Sequence, residues 1–284
     1  MKSESELGLG WRTHLIFPRF DGEVTDRGDH LLVRTPKNPT FWWGNFLLYD
    51  RAPQPGDAAA WIAAFDAEVA QAQPESRHVC FGVDATQRFE LPADFREAGF
   101  TLKRMCVLTL ERDDLLPLAK PLTREFSVRA LELPARSAAV VDLELAADEA
   151  GHEPEGFRAF NERLFERYTA MQDAGLGHWF GVFARSPHGE QLAAGCGLFR
   201  AKRANGGTSR FQRVATHPQW RRRGLATALV HAVCRHGFEV MGDDTLVMGA
   251  DPDEVAIGIY ESIGFLRTED TWLIERKPPV APPA

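Results

Sequence analysis

The 284-residue chain has no CxxC pair; its four cysteines, Cys80, Cys106, Cys196 and Cys234, stand far apart. That scatter supplies neither a zinc ligand set nor a disulfide framework, so no metal site and a reducing, cytoplasmic setting are expected. Positive charge is also short, with 33 Lys and Arg against 40 Asp and Glu and a net charge of −7. Nucleic-acid-binding surfaces are normally strongly basic, so no nucleic-acid partner is expected. No uninterrupted apolar run approaches the roughly 18 residues of a membrane span. The charged opening Lys2-Ser3-Glu4-Ser5-Glu6 lacks the apolar stretch of a signal peptide, and no membrane partner is expected. What the chain does hold is apolar mass, 44% hydrophobic and 10% aromatic, enough for sizeable cores. At about 150 residues per domain, its length suggests two.

The C-terminal part alternates strand and helix signals. Strands are expected over 126–131, 179–184, 192–200, up to Thr216, over 245–248, and near Phe265 and Trp272. Helices are expected over 137–147, 157–173, 222–238 and 253–263. Two hairpin turns are read at Ser186-Pro187-His188-Gly189 and Ala204-Asn205-Gly206-Gly207. The N-terminal part predicts strands over 14–17, 31–34, 41–49, 78–83 and 102–110, with a helix over 57–72. The fold class is α/β (α+β), helices on a mixed sheet.

The two parts share a pattern. Pro53-Gln54 matches Pro218-Gln219 and Gly99-Phe100 matches Gly264-Phe265, at one offset (218 − 53 and 264 − 99 both give 165). Each copy reads helix, strand, helix between those points, which predicts a diverged internal repeat. The expected domains are 1–115 and 122–278, with 113–121 as linker and 279–284 as a loose Pro-rich tail.

The informative segment runs from Phe211 to Leu229. A strand ending in Val214-Ala215-Thr216 enters a basic turn, Arg221-Arg222-Arg223-Gly224, and then an apolar-periodic helix. First-turn amides of a helix lack intrahelical acceptors, and with the helix dipole they form a receptor for phosphate. Gly224 permits close approach of the backbone, small Ala226 keeps the next turn open, and the arginines suit a pyrophosphate or a 3'-phosphate.

Arg221-Arg222-Arg223-Gly224-Leu225-Ala226 resembles the Arg/Gln-x-x-Gly-x-Gly/Ala signature of the GNAT acetyltransferase superfamily. The stretch from Asp253 to Phe265 resembles that family's Asn-x-x-Ala-x-x-x-Tyr-x-x-x-Gly-Phe motif, in the same order along the chain. The resemblance implies two GNAT-like domains, each a mixed twisted sheet flanked by helices, the first being a degenerate, non-catalytic copy. It implies acetyl-CoA as co-substrate and transfer of acetyl to a primary amine, on a small molecule or a protein N-terminus, by direct attack in a ternary complex. Val214, Ala215 and Thr216 would pair with the pantetheine arm as an added strand does. Arg221, Arg222, Arg223, Gly224, Leu225, Ala226 and Thr227 would hold the phosphates. Tyr260 would be catalytic, donating a proton to the departing thiolate. Asp253 stands where the family has Asn; it can cap a helix but donates no amide hydrogen bond. Relatives often carry a Glu on the strand where Arg210 stands, beside Gln212 and Arg213, so the proton acceptor is left unassigned. Glu153 and Glu155, with His152, lie in an acidic loop and are candidates for binding a cationic acceptor.

Applied to the first copy, the offset sets Phe95 against Tyr260, Gly56 and Asp57 against Arg221 and Arg222, and Trp61 against Ala226. No hydroxyl and no basic turn remain there, so that copy is expected not to bind CoA. The alternative function is a non-catalytic CoA-binding sensor or assembly module.

Overall fold

The computed structural model of the chain describes residues 2–85, 87–186, 189–202, 207–253 and 256–278. The expected turns at 186–189 and 204–207, the pair Glu254-Val255 and the tail from 279 lie wholly or partly outside the described residues. The chain divides into two units, Met1–Val107 with Glu269–Ala284, and Leu108–Thr268.

The first unit opens with two short helices, α1 (Leu9–His14) and α2 (Ile16–Asp21), where a strand over 14–17 was expected. Trp11 and Leu15, four residues apart, pack in one cluster with Leu7 from the turn before, the spacing of a helix face. The Thr13 hydroxyl bonds back to the Leu9 carbonyl at 2.8 Å, as mid-helix threonines do. There follow β1 (Glu23–Asp26), β2 (His30–Arg34) and β3 (Phe46–Tyr49). The strand expected over 41–49 starts late because Trp42–Gly44 forms a 3-10 turn. Next come α3 (Asp57–Phe65), β4 (Val79–Val83), α4 (Ala93–Glu97) and β5 (Thr101–Glu111). Side chains alternate across these strands. Leu47, Tyr49, Val79, Phe81 and Val83 pack with Trp61, Phe65 and Phe95 of α3 and α4. Phe46, Leu48 and Cys80 face the other way, onto Trp11 and Leu15.

The second unit holds β6 (Phe126–Leu131), α5 (Ser137–Ala147), α6 (Pro154–Asp173), β7 (Gly177–Ser186) and β8 (Gly189–Arg200). After them come β9 (Gly207–Thr216), α7 (Leu225–His236), β10 (Asp243–Ala250), α8 (Ala256–Glu261) and β11 (Leu266–Arg276). Leu225, Ala228, Leu229 and Val233 of α7 are buried, a stripe at helical spacing. Each such Leu or Val contributes about 1.5–3 kcal/mol by leaving water.

Strand order is β1-β2-β3-β4-β11-β5 in the first unit and β5-β10-β9-β8-β7-β6 in the second. Two strands are divided by the unit boundary: β5 after Val107, and β11 before Glu269. The expected domain 122–278 is divided, because residues from Glu269 belong to the first unit. Trp272 lies opposite Val83 and Arg276 opposite Val79 on β4, and Trp272 and Ile274 enter the α3/α4 core. Among the described residues no helix is long and apolar enough to cross a membrane.

Candidate active site

The site starts at an irregularity in β9. Opposite β8, Gly195 pairs with Ala215 but Gly197 pairs with Gln212, so β9 carries one extra residue over Arg213–Val214. Arg213 takes φ 47°, rare for a residue with a side chain, and the strand bulges there. On its other edge β9 runs parallel to β10 from Gly207 to Arg210, opposite Val247, and no register pair follows. Beyond the bulge, Val214, Ala215 and Thr216 therefore leave their main-chain groups on that edge to a partner other than β10. An extended ligand can pair there as a strand would.

Thr216 leads through the short 3-10 turn Pro218–Trp220 to the basic turn and α7. Gly224 is the N-cap of α7 in the left-handed region, φ 76°, with no side-chain cap. A Cβ built on Gly224 meets nothing within 4 Å, so the turn is open in front of the helix. The first intrahelical bond is donated by the Ala228 amide to the Gly224 carbonyl at 3.1 Å. The amides of Leu225, Ala226 and Thr227 precede it and face the open turn, a fit for the oxygens of a pyrophosphate.

The three arginines differ in what they touch. Arg222 is exposed with φ 61°, and Arg223 is exposed with its guanidinium 4.8 Å above the Trp220 ring. Arg221 is engaged elsewhere, ion-paired to Glu149 and directed at the carbonyls of Thr216 (3.3 Å) and Ala147 (3.5 Å). Arg222 and Arg223 are thus the side chains available to a phosphate, while Arg221 braces the turn.

Tyr260 sits on α8, buried, with its ring 6.2 Å from that of Phe265. The helix expected over 253–263 is described only from Ala256 to Glu261. Asp253 lies outside it and exposed, with its amide bound to the Asp251 carboxylate at 3.0 Å.

The acidic loop is largely self-contained. Glu153 is the N-cap of α6, accepting the amides of Glu155 (2.8 Å) and Gly156 (2.6 Å), which hold its carboxyl below the usual range. Asp148 accepts the amides of Ala150 and His152 and the His152 ring. His152 in turn stacks on Phe157 at 4.6 Å. Glu155 stays exposed.

One pair is not among those expected from the sequence pattern. Glu144, in the last turns of α5, accepts from Nε and Nη2 of Arg213 at 3.0 and 2.6 Å and is 7% exposed. Burial opposes the charge on Arg213, but Glu144 outweighs it and raises the guanidinium pKa. The signal was present: an acid four residues from Val140 and three from Val141 falls on the buried stripe of its helix. No group of three or more His, Cys, Asp or Glu among the described residues is placed to hold a metal.

The first unit shows the same plan with the cleft shut. Gly56 is the left-handed N-cap of α3, φ 98°, as Gly224 is of α7, so the two helices correspond at a shift of three from the expected offset (224 − 56 gives 168). Trp61 therefore matches Leu229 rather than Ala226, and the first copy lacks three residues of the basic turn altogether. At α4 the original offset holds, since Phe100 donates to the Phe95 carbonyl as Phe265 does to that of Tyr260. Three features close the cleft. The β3–β4 ladder runs to Tyr49 opposite Val83, and the Asp84 amide then binds the Tyr49 carbonyl at 2.8 Å. Tyr49 stacks on Trp61 with ring centroids 3.6 Å apart. The Asp94 carboxylate accepts the amides of Gly56 and Ala58 at 3.0 Å, at the helix start that in α7 is open.

Residues 138–265 match the model of the acetyltransferase (GNAT) family. No curated protein matches the chain. Among solved structures, a conserved protein of unknown function from Staphylococcus epidermidis aligns over 91% of this chain and 95% of its own, with TM-score 0.71 and 12% identity. A GCN5-related N-acetyltransferase from Kribbella flavida aligns over 95% and 96%, with TM-score 0.59 and 17% identity. A tandem GNAT protein from the clavulanic acid biosynthesis pathway aligns over 81% and 74%, with TM-score 0.54 and 15% identity. At these identities the likeness is one of fold, and it extends over both units. The splayed strand and the open basic turn both lie within residues 138–265, the stretch that matches the acetyltransferase (GNAT) family.

Proposed function

We propose that the protein is an N-acetyltransferase that moves acetyl from acetyl-CoA to a primary amine by direct attack within a ternary complex. The observation that carries this reading is the gap between β9 and β10 beyond Arg210, which leads directly to the uncapped amides of α7. Coenzyme A supplies an activated acyl group as a thioester. Val214, Ala215 and Thr216 would bind its pantetheine arm, and an amide of that strand would polarise the thioester carbonyl. Leu225, Ala226 and Thr227 would bind its phosphates through their amides, with Arg222 and Arg223 adding charge. Tyr260 would donate a proton to the departing thiolate. The first unit would bind no CoA, leaving one site per chain. The acceptor would be a small-molecule amine or a protein N-terminus.

Arg210, where relatives often have Glu, favours the second reading, a CoA-binding module without turnover. Thiol release from acetyl-CoA, measured with a panel of amines, separates the two. Release with at least one amine, lost in Tyr260→Phe, supports the enzyme; CoA binding without release from any amine supports the module.

A further inference from the structure

The bulge that opens the cleft is made by a residue poorly suited to it. Left-handed backbone is unfavourable for a residue with a Cβ, and glycine is the usual occupant. Arg213 holds φ 47° nonetheless, and its side chain is fastened to the buried Glu144 carboxylate by two hydrogen bonds. The end of α5 and the residues just after it also reach the far end of the same segment, through the Ala147 carbonyl and the Glu149 carboxylate to Arg221. The stretch 213–221 is thus fastened near both ends to α5 and the residues just after it.

We propose that Glu144 is a positioning residue for acyl-CoA binding: its pair with Arg213 holds the β9 bulge in the left-handed conformation that keeps β9 away from β10. Three features of the segment support this role. The extra residue in the β8–β9 register locates the bulge at Arg213–Val214. The positive φ shows that the backbone there needs support. The Glu144 carboxylate is 7% exposed and spends one oxygen on Arg213, whose side chain is 24% exposed, so the pair is partly shielded from water. The proposal places no reacting atom on Glu144, and it rests on the reading of this cleft as the CoA site.

The test is calorimetric titration of coenzyme A into the full chain, wild type and variants. Glu144→Ala frees Arg213 from its tether, and CoA affinity is expected to fall about 5- to 30-fold, the equilibrium weight of a left-handed non-glycine residue. Arg213→Gly adopts the same φ without strain and is expected to bind within about threefold of wild type. The decisive variant is the double, Glu144→Ala with Arg213→Gly, which is expected to recover affinity to within about threefold as well. A double variant as weak as Glu144→Ala alone overturns the proposal, as does Glu144→Ala binding like wild type. If circular dichroism shows Glu144→Ala unfolded, Arg213→Gly decides alone: weakened CoA binding in that folded variant overturns it. A wild-type chain that does not bind CoA overturns the reading of the site together with the clamp; wild-type binding without rescue by Arg213→Gly overturns the clamp only.

Discussion

The Asp94 carboxylate stands 3.0 Å from the amide nitrogen of Gly56, and the same oxygen accepts from Ala58. An acid from α4 thus satisfies the helix start that, in α7, faces an open turn. Asp94→Ala is expected to destabilise the protein by about 1 kcal/mol, the usual worth of a lost N-terminal cap. It is not expected to create a second CoA site, because the β3–β4 ladder stays paired and Tyr49 stays stacked on Trp61. Titration should give one equivalent of CoA per chain before and after the change. Two equivalents in either protein would refute the reading of the first unit.

Gly224 separates backbone strain from ligand obstruction. Its φ of 76° makes any side chain unfavourable, by roughly 1–2 kcal/mol, whereas a Cβ there meets no protein atom within 4 Å. Gly224→Ala and Gly224→Trp are therefore expected to show similar losses in urea denaturation. Only Gly224→Trp should abolish CoA binding, because its ring projects into the turn. Undiminished affinity in folded Gly224→Trp protein would remove the phosphate assignment.

Tyr260→Phe keeps the ring against Phe265, so stability and CoA affinity are expected to change little. A lost proton donor lowers kcat by about 10²- to 10⁴-fold, and a thiolate is a tolerable leaving group, which points to the lower end. Steady-state rates with a responsive amine are the measurement. Wild-type turnover in the variant would leave thiolate protonation to water.

His78 predicts an acid-labile first unit. Burial drives its pKa down from 6.5 to about 4, against the hydrogen bond its Nε2 donates to the Asn45 carbonyl at 3.0 Å. The folded state thus binds the proton less readily than the unfolded state. Between about pH 6.5 and 4 the unfolded chain takes up a proton that the folded chain refuses, so stability falls as pH falls, by about 3 kcal/mol across the window. Above pH 6.5 both states hold a neutral ring and the contribution is flat. Denaturation midpoints across this range should be less pH-dependent in His78→Gln, and an unchanged slope would rule out His78 as the source.

The sequence disclosed what is local. The turn from Arg221 to Ala226 announces itself because left-handed caps and uncapped amides need particular residues in immediate succession. α5, α6 and α7 follow from apolar spacing. Arg213 was opaque for the opposite reason: an extra residue in a strand changes neither composition nor alternation, and arginine is not a bulge signal. Glu144 was legible only as an acid on an apolar stripe. Asp94 could not be matched to Gly56 from 38 residues away, since a cap supplied from another helix leaves no pattern. The repeat was visible through Gly99 and Gly264, but two dipeptides could not reveal three residues missing between them. Tertiary pairing alone decided where Trp272 belongs.

The place of Trp272 and Ile274 also bears on how the chain is made. These two side chains complete the α3/α4 core, yet they emerge from the ribosome after every residue of Leu108–Thr268. The unit synthesised first is therefore the later to have its full complement of residues, and the acetyltransferase-family unit can close before it. Released chains truncated after Thr268 are expected to protect 126–263 from protease while leaving 57–100 open to cleavage. Chains extended by the next eight residues, Glu269–Arg276, should protect both.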